Sequence, residues 1–259
     1  MSPLVFGLVG LTVLITHALE AITGFGCTVL ALPFVTALVG VKTGVPILAS
    51  LAWLLALYIV ITKWKFINFK EFAIIVFFVG LGLPFGMLAF KNLDARMLKK
   101  ILAVFITLSA AWQVYRRFKR PNRTNPNCPA APEAPLSGSP WGRLPYYLLL
   151  ILGGMVHGAF ASGGPLVVLY ASKTLTDKGS FRATLCLLWT TLNTILLMNY
   201  LRSGVFTAPI ISGTAGMLPF LVAGIIVGEK IHYKVDGEIF GKLIFLVLFA
   251  TGIFMLFLA

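Results

Sequence analysis

A glycine-rich break interrupts a long apolar stretch at two corresponding places, one in each half of the chain. The first break is Thr-Gly-Phe-Gly-Cys-Thr at residues 23–28, and the second is Ala-Ser-Gly-Gly-Pro at residues 161–165. Glycine destabilises a membrane helix, and lipid offers no partners for the backbone amides that a break frees. Such a break therefore normally lines a cavity. Two matching breaks are typical of a transporter whose substrate lies between two repeats near the bilayer midplane.

The composition identifies the class of protein that carries these breaks. Hydrophobic residues make up 59% of the 259 residues, charged residues make up 11%, and the mean hydropathy is +0.95. A soluble domain carries about 25% charged residues, so this chain is predicted to be an integral membrane protein. The net charge of +13 does not indicate a nucleic-acid partner, because the basic residues lie in short segments between apolar runs. Membrane topology and anionic lipid headgroups explain them better.

Ten apolar segments follow one another along the chain. They lie approximately at residues 4–22, 27–39, 45–62, 72–90, 98–115, 146–160, 165–172, 181–201, 209–227 and 239–258. Most are near the ~20 residues that a helix needs to cross a bilayer, whereas the second and the seventh are clearly shorter. The sequence therefore predicts an all-α membrane protein. Each half would hold four long transmembrane helices and one short broken or re-entrant half-helix.

The two halves align with each other as repeats. Gly26 aligns with Gly163, Lys42 with Lys178, and the Leu-Pro-Phe sequence at residues 83–85 with the same sequence at residues 218–220. We predict three parts: a first transmembrane repeat at residues 1–118, a linker at 119–144, and a second transmembrane repeat at 145–259. The linker is basic and rich in proline, which predicts an extended cytoplasmic segment.

The distribution of basic residues favours inverted repeats over parallel ones. If each short segment returns to the side from which it came, each half crosses the membrane an odd number of times and the repeats are inverted. Most Lys and Arg residues then lie on the same side as the linker. Parallel repeats would divide the same residues almost evenly, which the positive-inside rule disfavours.

These motifs resemble the sulfite exporter TauE/SafE family, also called TSUP. The resemblance rests on the duplicated break, the Leu-Pro-Phe sequence in each half and the basic linker, and it covers nearly the whole chain apart from the linker. It implies secondary transport of a small sulfur-containing oxyanion or organosulfonate, of the sulfite, thiosulfate or sulfoacetate type, across the bacterial inner membrane. Cys27 and Thr28 replace the family's usual third motif glycine in the first repeat, so the two breaks are not chemically equivalent.

The residues at the breaks suit an anionic ligand. A half-helix that begins after a break presents unpaired N–H groups and the positive end of its dipole, which attract an oxyanion. Hydroxyl groups of nearby threonine and serine residues would add donors, although small residues at these positions could also serve helix packing alone. The predicted substrate-binding residues are Thr23, Gly24, Gly26, Cys27, Thr28, Ser162, Gly163, Gly164, Arg182 and Asn193. Arg182 and Asn193 follow the second break; Arg182 would counter the anion or extend to headgroups, and Asn193 would bind substrate or another helix.

A single acidic residue, Glu20, lies deep within an apolar segment, and an intramembrane carboxylate is a functional candidate by default. It shares a helix face with His17 and aligns with His157 in the second half. These three residues are predicted to couple transport to protons, with a structural ion pair as the alternative for Glu20.

Other functions fit the sequence less well. An anion channel is the alternative to a transporter, although a channel would not need Glu20 and His157. An enzyme is not expected, because the chain has no Ser/His/Asp set and no HExxH spacing. The three cysteines have unrelated spacings, so neither a metal site nor a cofactor is predicted. Sequence leaves open the direction of transport, the identity of the anion and the oligomeric state.

Overall fold

The computed structural model describes residues 2–119, 140–175 and 177–231. These residues form nine α-helices and a short 3₁₀ turn after the third, and the described ranges contain no strand. The helices are α1 Pro3–Thr23, α2 Cys27–Val39, α3 Val41–Lys63, α4 Phe69–Asn92, α5 Ala95–Lys119, α6 Pro140–Phe160, α7 Gly164–Thr174, α8 Lys178–Arg202 and α9 Ala208–Ile231. The predicted all-helical architecture is confirmed. The tenth apolar segment and residues 120–139 of the predicted linker lie outside the described residues. The two ends of that linker are not extended as predicted, since residue 119 ends α5 and residues 140–144 form the start of α6.

Five of the described helices are long and apolar enough to cross a membrane. They are Pro3–Thr23, Val41–Phe66, Phe69–Asn92, Lys178–Arg202 and Ala208–Lys230. Cys27–Val39 is a shorter apolar helix, as the length of the second apolar segment predicted. The chain is therefore a multi-pass membrane protein, and at each break a long helix is followed by a short one.

Glycine residues bring α4 and α6 into close contact. Gly82 and Gly86 of α4 face Gly154 and Gly158 of α6, and each pair is spaced by four residues. A Cβ atom at any of these positions would overlap a backbone carbonyl oxygen of the other helix. Small residues at this spacing let membrane helices approach closely, since dispersion contacts rather than hydrophobic burial hold such helices together.

Glycine contacts also give the relative directions of two helix pairs, α4 with α6 and α1 with α9. On α4, Gly82 faces Ile151 and Gly86 faces Met155, so α4 and α6 run parallel. The helices α1 and α9 also run parallel, because the residue numbers of the contacting pairs increase along both helices. Along α9 these contacts are made by Gly216 with Phe6, Gly224 with Leu14 and Gly228 with Ala18.

The helices α3 and α8 are the most buried of the five long apolar helices, and they run antiparallel. At the start of α3, the Lys42 ammonium lies 4.6 Å from the centre of the Phe90 ring, which in turn contacts Tyr200 near the end of α8. Beyond the other end of α3, Phe66 packs on Gly179 at the start of α8. Between these ends, the Trp53 indole donates a hydrogen bond to the Thr194 hydroxyl at 2.8 Å. The middles of both helices therefore lie at the same depth.

Candidate functional site

A small cavity lies between the two glycine-rich breaks and the middles of α3 and α8. It is lined by Glu20, Gly26, Thr28, Val29, Ala52, His157, Ala161, Gly164, Trp189 and Asn193. Its free volume is about 10 Å³, which is about the room that one water molecule needs. The fold thus brings both breaks to one polar gap and leaves it narrow in this state.

The first break depends on two glycines with left-handed backbone conformations. Gly24 ends α1 at φ 82°, and its N–H donates to the Glu20 carbonyl at 2.7 Å. Gly26 then precedes α2 at φ 105°. Residues with a side chain rarely adopt such angles, so the two glycines allow α1 to end and α2 to begin within three residues.

The second break is built differently. Ala161 takes the left-handed conformation at φ 53°, and its N–H donates to the His157 carbonyl at 2.7 Å. Gly163 has an ordinary φ of −71° and packs so tightly on Gly153 that a Cβ atom would overlap the Gly153 carbonyl oxygen. The α7 helix then begins at Gly164. The two breaks are therefore unequal in backbone geometry as well as in sequence.

The Glu20 carboxylate occupies the N-terminus of α2. Its Oε2 accepts a hydrogen bond from the Cys27 N–H at 2.9 Å, and the residue is only 3% exposed. A carboxylate stabilises a helix N-terminus by accepting an otherwise unpaired N–H and by interacting with the helix dipole. From sequence, Glu20 was predicted to couple transport to protons and the N-terminal amides of α2 were predicted to bind the substrate. In the structure, the Glu20 side chain is hydrogen-bonded to one of these amides.

Two polar side chains on the other side of the cavity lack such hydrogen bonds. His157 and Asn193 are 2% and 1% exposed. Among the described residues, neither ring nitrogen of His157 nor Oδ1 of Asn193 makes a hydrogen bond of normal geometry, although the two side chains are near enough to interact with each other. Buried polar groups are nearly always hydrogen-bonded, and leaving one unpaired costs about 1–3 kcal/mol. These groups consequently offer hydrogen bonds to whatever enters the cavity.

Trp189 connects the two breaks. Its indole N–H donates to the Gly24 carbonyl at 3.0 Å, and its ring stacks on the His157 imidazole with centres 5.5 Å apart and planes at 16°. Trp189 also forms part of the cavity wall. Because Trp189 contacts Gly24 of the first break and His157 next to the second, a displacement of one break would also displace the other.

Several predicted site residues lie beside the cavity without lining it. The Thr23 hydroxyl oxygen lies 2.9 Å from the Leu19 carbonyl oxygen and 2.8 Å from the Phe25 carbonyl oxygen, and its one proton is directed to these two acceptors, so it serves the first break itself. The Ser162 hydroxyl is buried and has no partner among the described residues. Gly24, Cys27 and Gly163 belong to the breaks or their edges and do not line the cavity.

His17 is placed apart from Glu20 and His157. Its Nδ1 lies 2.8 Å from the Val13 carbonyl on its own helix, and its Cβ lies against Gly224 of α9. The cavity lining includes Glu20 and His157 but not His17. His17 and Glu20 share a face of α1 and lie one turn apart, but His17 does not reach the cavity. The part of α1 that carries His17 packs against α9.

Arg182 lies next to the first break and is neutralised by a residue that the sequence did not single out. Its guanidinium forms an ion pair with Glu229 of α9, and the side chain is 6% exposed. A Cβ atom on Gly24 would lie 2.8 Å from the Arg182 Cα, so α8 and the break are in direct contact. Glu229 was not predicted as a partner because it lies near the end of an apolar segment. The preceding Gly224-x-x-x-Gly228 spacing does indicate tight packing of α9.

We expect Glu229→Gln to destabilise the purified protein, because it leaves the buried Arg182 guanidinium without a counter-charge. Glu229 is 29% exposed, so solvent reduces the loss to on the order of 1–2 kcal/mol, or a melting temperature lower by about 2–8 °C. Thermal unfolding in detergent would measure it. The double variant Arg182→Gln/Glu229→Gln is the control and should recover part of the loss. Equal melting temperatures for Glu229→Gln and wild type would show that the pair contributes nothing.

Comparison with known proteins adds one finding. The model of a protein family described as sulfite exporter TauE/SafE matches residues 9–255. No curated protein and no solved structure matches the chain significantly.

Proposed function

The chain belongs to the sulfite exporter TauE/SafE family of membrane transporters, and from this premise we propose that it moves a small sulfur-containing oxyanion or organosulfonate through the cavity between the two breaks. Sulfite, thiosulfate and sulfoacetate represent the proposed substrate class. The observation that carries the proposal is the convergence of both breaks on one gap, with buried polar groups at His157 and Asn193 that lack hydrogen bonds of normal geometry among the described residues.

The chemistry of the cavity supports an anion of this kind. The Thr28 hydroxyl, the N-terminal amides of α2 and α7, and the side chains of His157 and Asn193 can all donate hydrogen bonds. A neutral compound of the same shape would leave some of these donors poorly matched, so an oxyanion is favoured. Arg182 contributes at the edge of this site through its contact with the first break. We assign it a positioning role there, since Glu229 balances its charge.

Alternating access is the proposed mechanism, with the two halves related as inverted repeats. The helices α3 and α8 hold corresponding places in the two halves and run antiparallel, as inversion requires. Likewise α1 packs on α9 while α4 packs on α6, which is the exchange of partners that a two-fold relation produces. A gap with room for about one water must widen before an anion enters, so opening and closing of one half against the other is part of the proposal.

The proposed setting is the bacterial cytoplasmic membrane, with the repeats at residues 1–118 and 145–259. The linker at 119–144 lies on the cytoplasmic side in this proposal, because its basic residues follow the positive-inside rule. Anionic lipid headgroups are the expected partners of the basic residues at the helix ends.

Flux into proteoliposomes tests the function. We expect saturable uptake of radiolabelled sulfite or thiosulfate that is stimulated by unlabelled anion inside the vesicles. In such an exchange the transporter returns with an anion bound, so the reorientation of the empty site is not needed. A neutral sulfone should compete poorly with the corresponding sulfonate. Unsaturable flux without stimulation from the far side would indicate an anion channel instead, and the absence of any sulfur-oxyanion flux or binding would refute the proposal.

A further inference from the structure

The N-terminus of α2 at the first break is already occupied by a carboxyl group of the protein itself. The Glu20 carboxylate accepts the Cys27 N–H at the start of α2, and Glu20 also lines the cavity. The α2 helix is 13 residues long, so its N-terminus carries a substantial part of the helix dipole. The Cys27 N–H that would attract an external oxyanion is therefore already bonded to the side chain of Glu20, seven residues earlier in the chain on α1.

An ionised Glu20 and a bound anion exclude each other at this place. The Cys27 N–H can serve one acceptor at full strength, and two negative charges in a buried gap repel strongly where the effective dielectric constant is low. On the opposite wall, neither ring nitrogen of His157 nor Oδ1 of Asn193 makes a hydrogen bond of normal geometry among the described residues. That wall can therefore accept a ligand, whereas the Cys27 N–H at the start of α2 is already bonded to Glu20.

We propose that the Glu20 carboxylate and the transported anion are alternative occupants of the N-terminus of α2, so that each anion binds together with one proton. This inference rests on the proposed function and specifies how its site is coupled. In the binding step the carboxylate takes up a proton from water, releases the Cys27 N–H, and the anion accepts that N–H instead. The charge of the site changes only by the charge of the anion plus the one proton.

The surroundings of Glu20 make it the acceptor of that proton. Ala52 of α3 and Gly164 of α7 face the gap without an ionisable group. Arg182 of α8 is paired with Glu229 of α9 and does not bond to Glu20. The ionisable or charged groups of the surrounding elements are the Cys27 thiol on α2, the His157 imidazole on α6, Cys186 and Arg182 on α8, Glu229 on α9, and His17 on α1 itself.

Proton uptake on binding provides the test, with thiosulfate as the probe because it does not titrate near neutral pH. Purified protein in weakly buffered detergent would be mixed with thiosulfate from about pH 5 to about pH 9, and a pH indicator would report protons taken up. Radiolabelled thiosulfate in equilibrium dialysis would report binding separately. For wild type we expect uptake approaching one proton per bound anion at the alkaline end, where affinity should fall about tenfold per pH unit.

Glu20→Gln is the informative variant, because the amide carbonyl can still accept the Cys27 N–H while the side chain cannot bind a proton. It should bind thiosulfate with an affinity independent of pH and take up no proton. Glu71→Gln is the matched control: Glu71 accepts a hydrogen bond from Tyr170 at 3.0 Å and does not line the cavity. It should behave as wild type.

The outcomes separate this inference from the proposed function. Thiosulfate binding by wild type without proton uptake at any pH would overturn the inference and leave the transport function standing. Proton uptake that persists in Glu20→Gln would also overturn it and would point to His157. Absence of sulfite, thiosulfate and sulfoacetate binding in wild type would refute the proposed function itself. If Glu20→Gln does not fold, His157→Gln decides the inference: proton uptake that persists in this variant supports Glu20 as the acceptor, and its loss overturns the inference.

Discussion

Replacing Gly86 with alanine is expected to lower the melting temperature of the purified protein by about 2–12 °C. A methyl group at this position of α4 would overlap the Met155 carbonyl oxygen of α6. The backbones of both helices would have to separate, because a carbonyl oxygen cannot turn away as a flexible side chain can. Overpacking of this kind costs about 1–3 kcal/mol. Thermal unfolding in detergent would measure the shift.

Gly80→Ala is the matched control on the same helix. A Cβ atom at Gly80 would have no atom within 4 Å, and alanine favours a helix over glycine by about 1 kcal/mol. The two substitutions are chemically identical and lie six positions apart, yet we expect opposite signs. A similar loss of stability in both variants would mean that the close approach of α4 and α6 is not what holds these helices.

The second large effect concerns the cavity. We expect Asn193→Leu to reduce anion transport by about 10-fold to about 100-fold, because leucine keeps the volume but removes the polar group that faces the gap. A hydrogen bond to a charged ligand contributes about 1.5–3 kcal/mol, which corresponds to that range. The loss should lie mainly in the Michaelis constant if Asn193 binds the anion before it moves. Initial rates of proteoliposome uptake over a range of anion concentrations would measure it.

Asn199→Leu supplies the comparison for Asn193. Asn199 lies on the same helix, is half-buried and does not line the cavity. Transport by this variant should stay near the wild-type rate when corrected for the amount of protein inserted. Equal losses in the two variants would assign Asn193 to helix packing rather than to substrate.

The helices and the position of the breaks followed from local sequence. An apolar run has to form a helix in lipid, because each backbone polar group needs a partner within its own segment. The predicted bounds of the second segment, residues 27–39, agree with α2 at Cys27–Val39. Gly24 and Gly26 marked the break because glycine alone adopts their left-handed angles readily. The duplicated motif likewise predicted the family that the comparison with known proteins confirmed.

The side-chain partners in the site could not be predicted from sequence. Glu20 and His17 share a helix face, but only Glu20 lines the cavity, since α9 covers the part of α1 that carries His17. The Arg182 and Glu229 side chains form an ion pair across two helices, and no local pattern gives the rotation of one helix against another. That rotation depends on which glycines let the backbones touch.

The sequence by itself determined that this chain crosses a membrane as a set of helices, where those helices break, and which family it belongs to. Each of these properties depends on residues that are neighbours along the chain. Only the tertiary structure decided that the carboxylate of Glu20 bonds to the Cys27 amide, that Trp189 joins the two breaks, and that buried polar atoms of His157 and Asn193 face the gap without hydrogen bonds of normal geometry among the described residues. These contacts depend on how distant helices pack, and the packing is set by close contacts between backbones that a one-dimensional pattern does not contain.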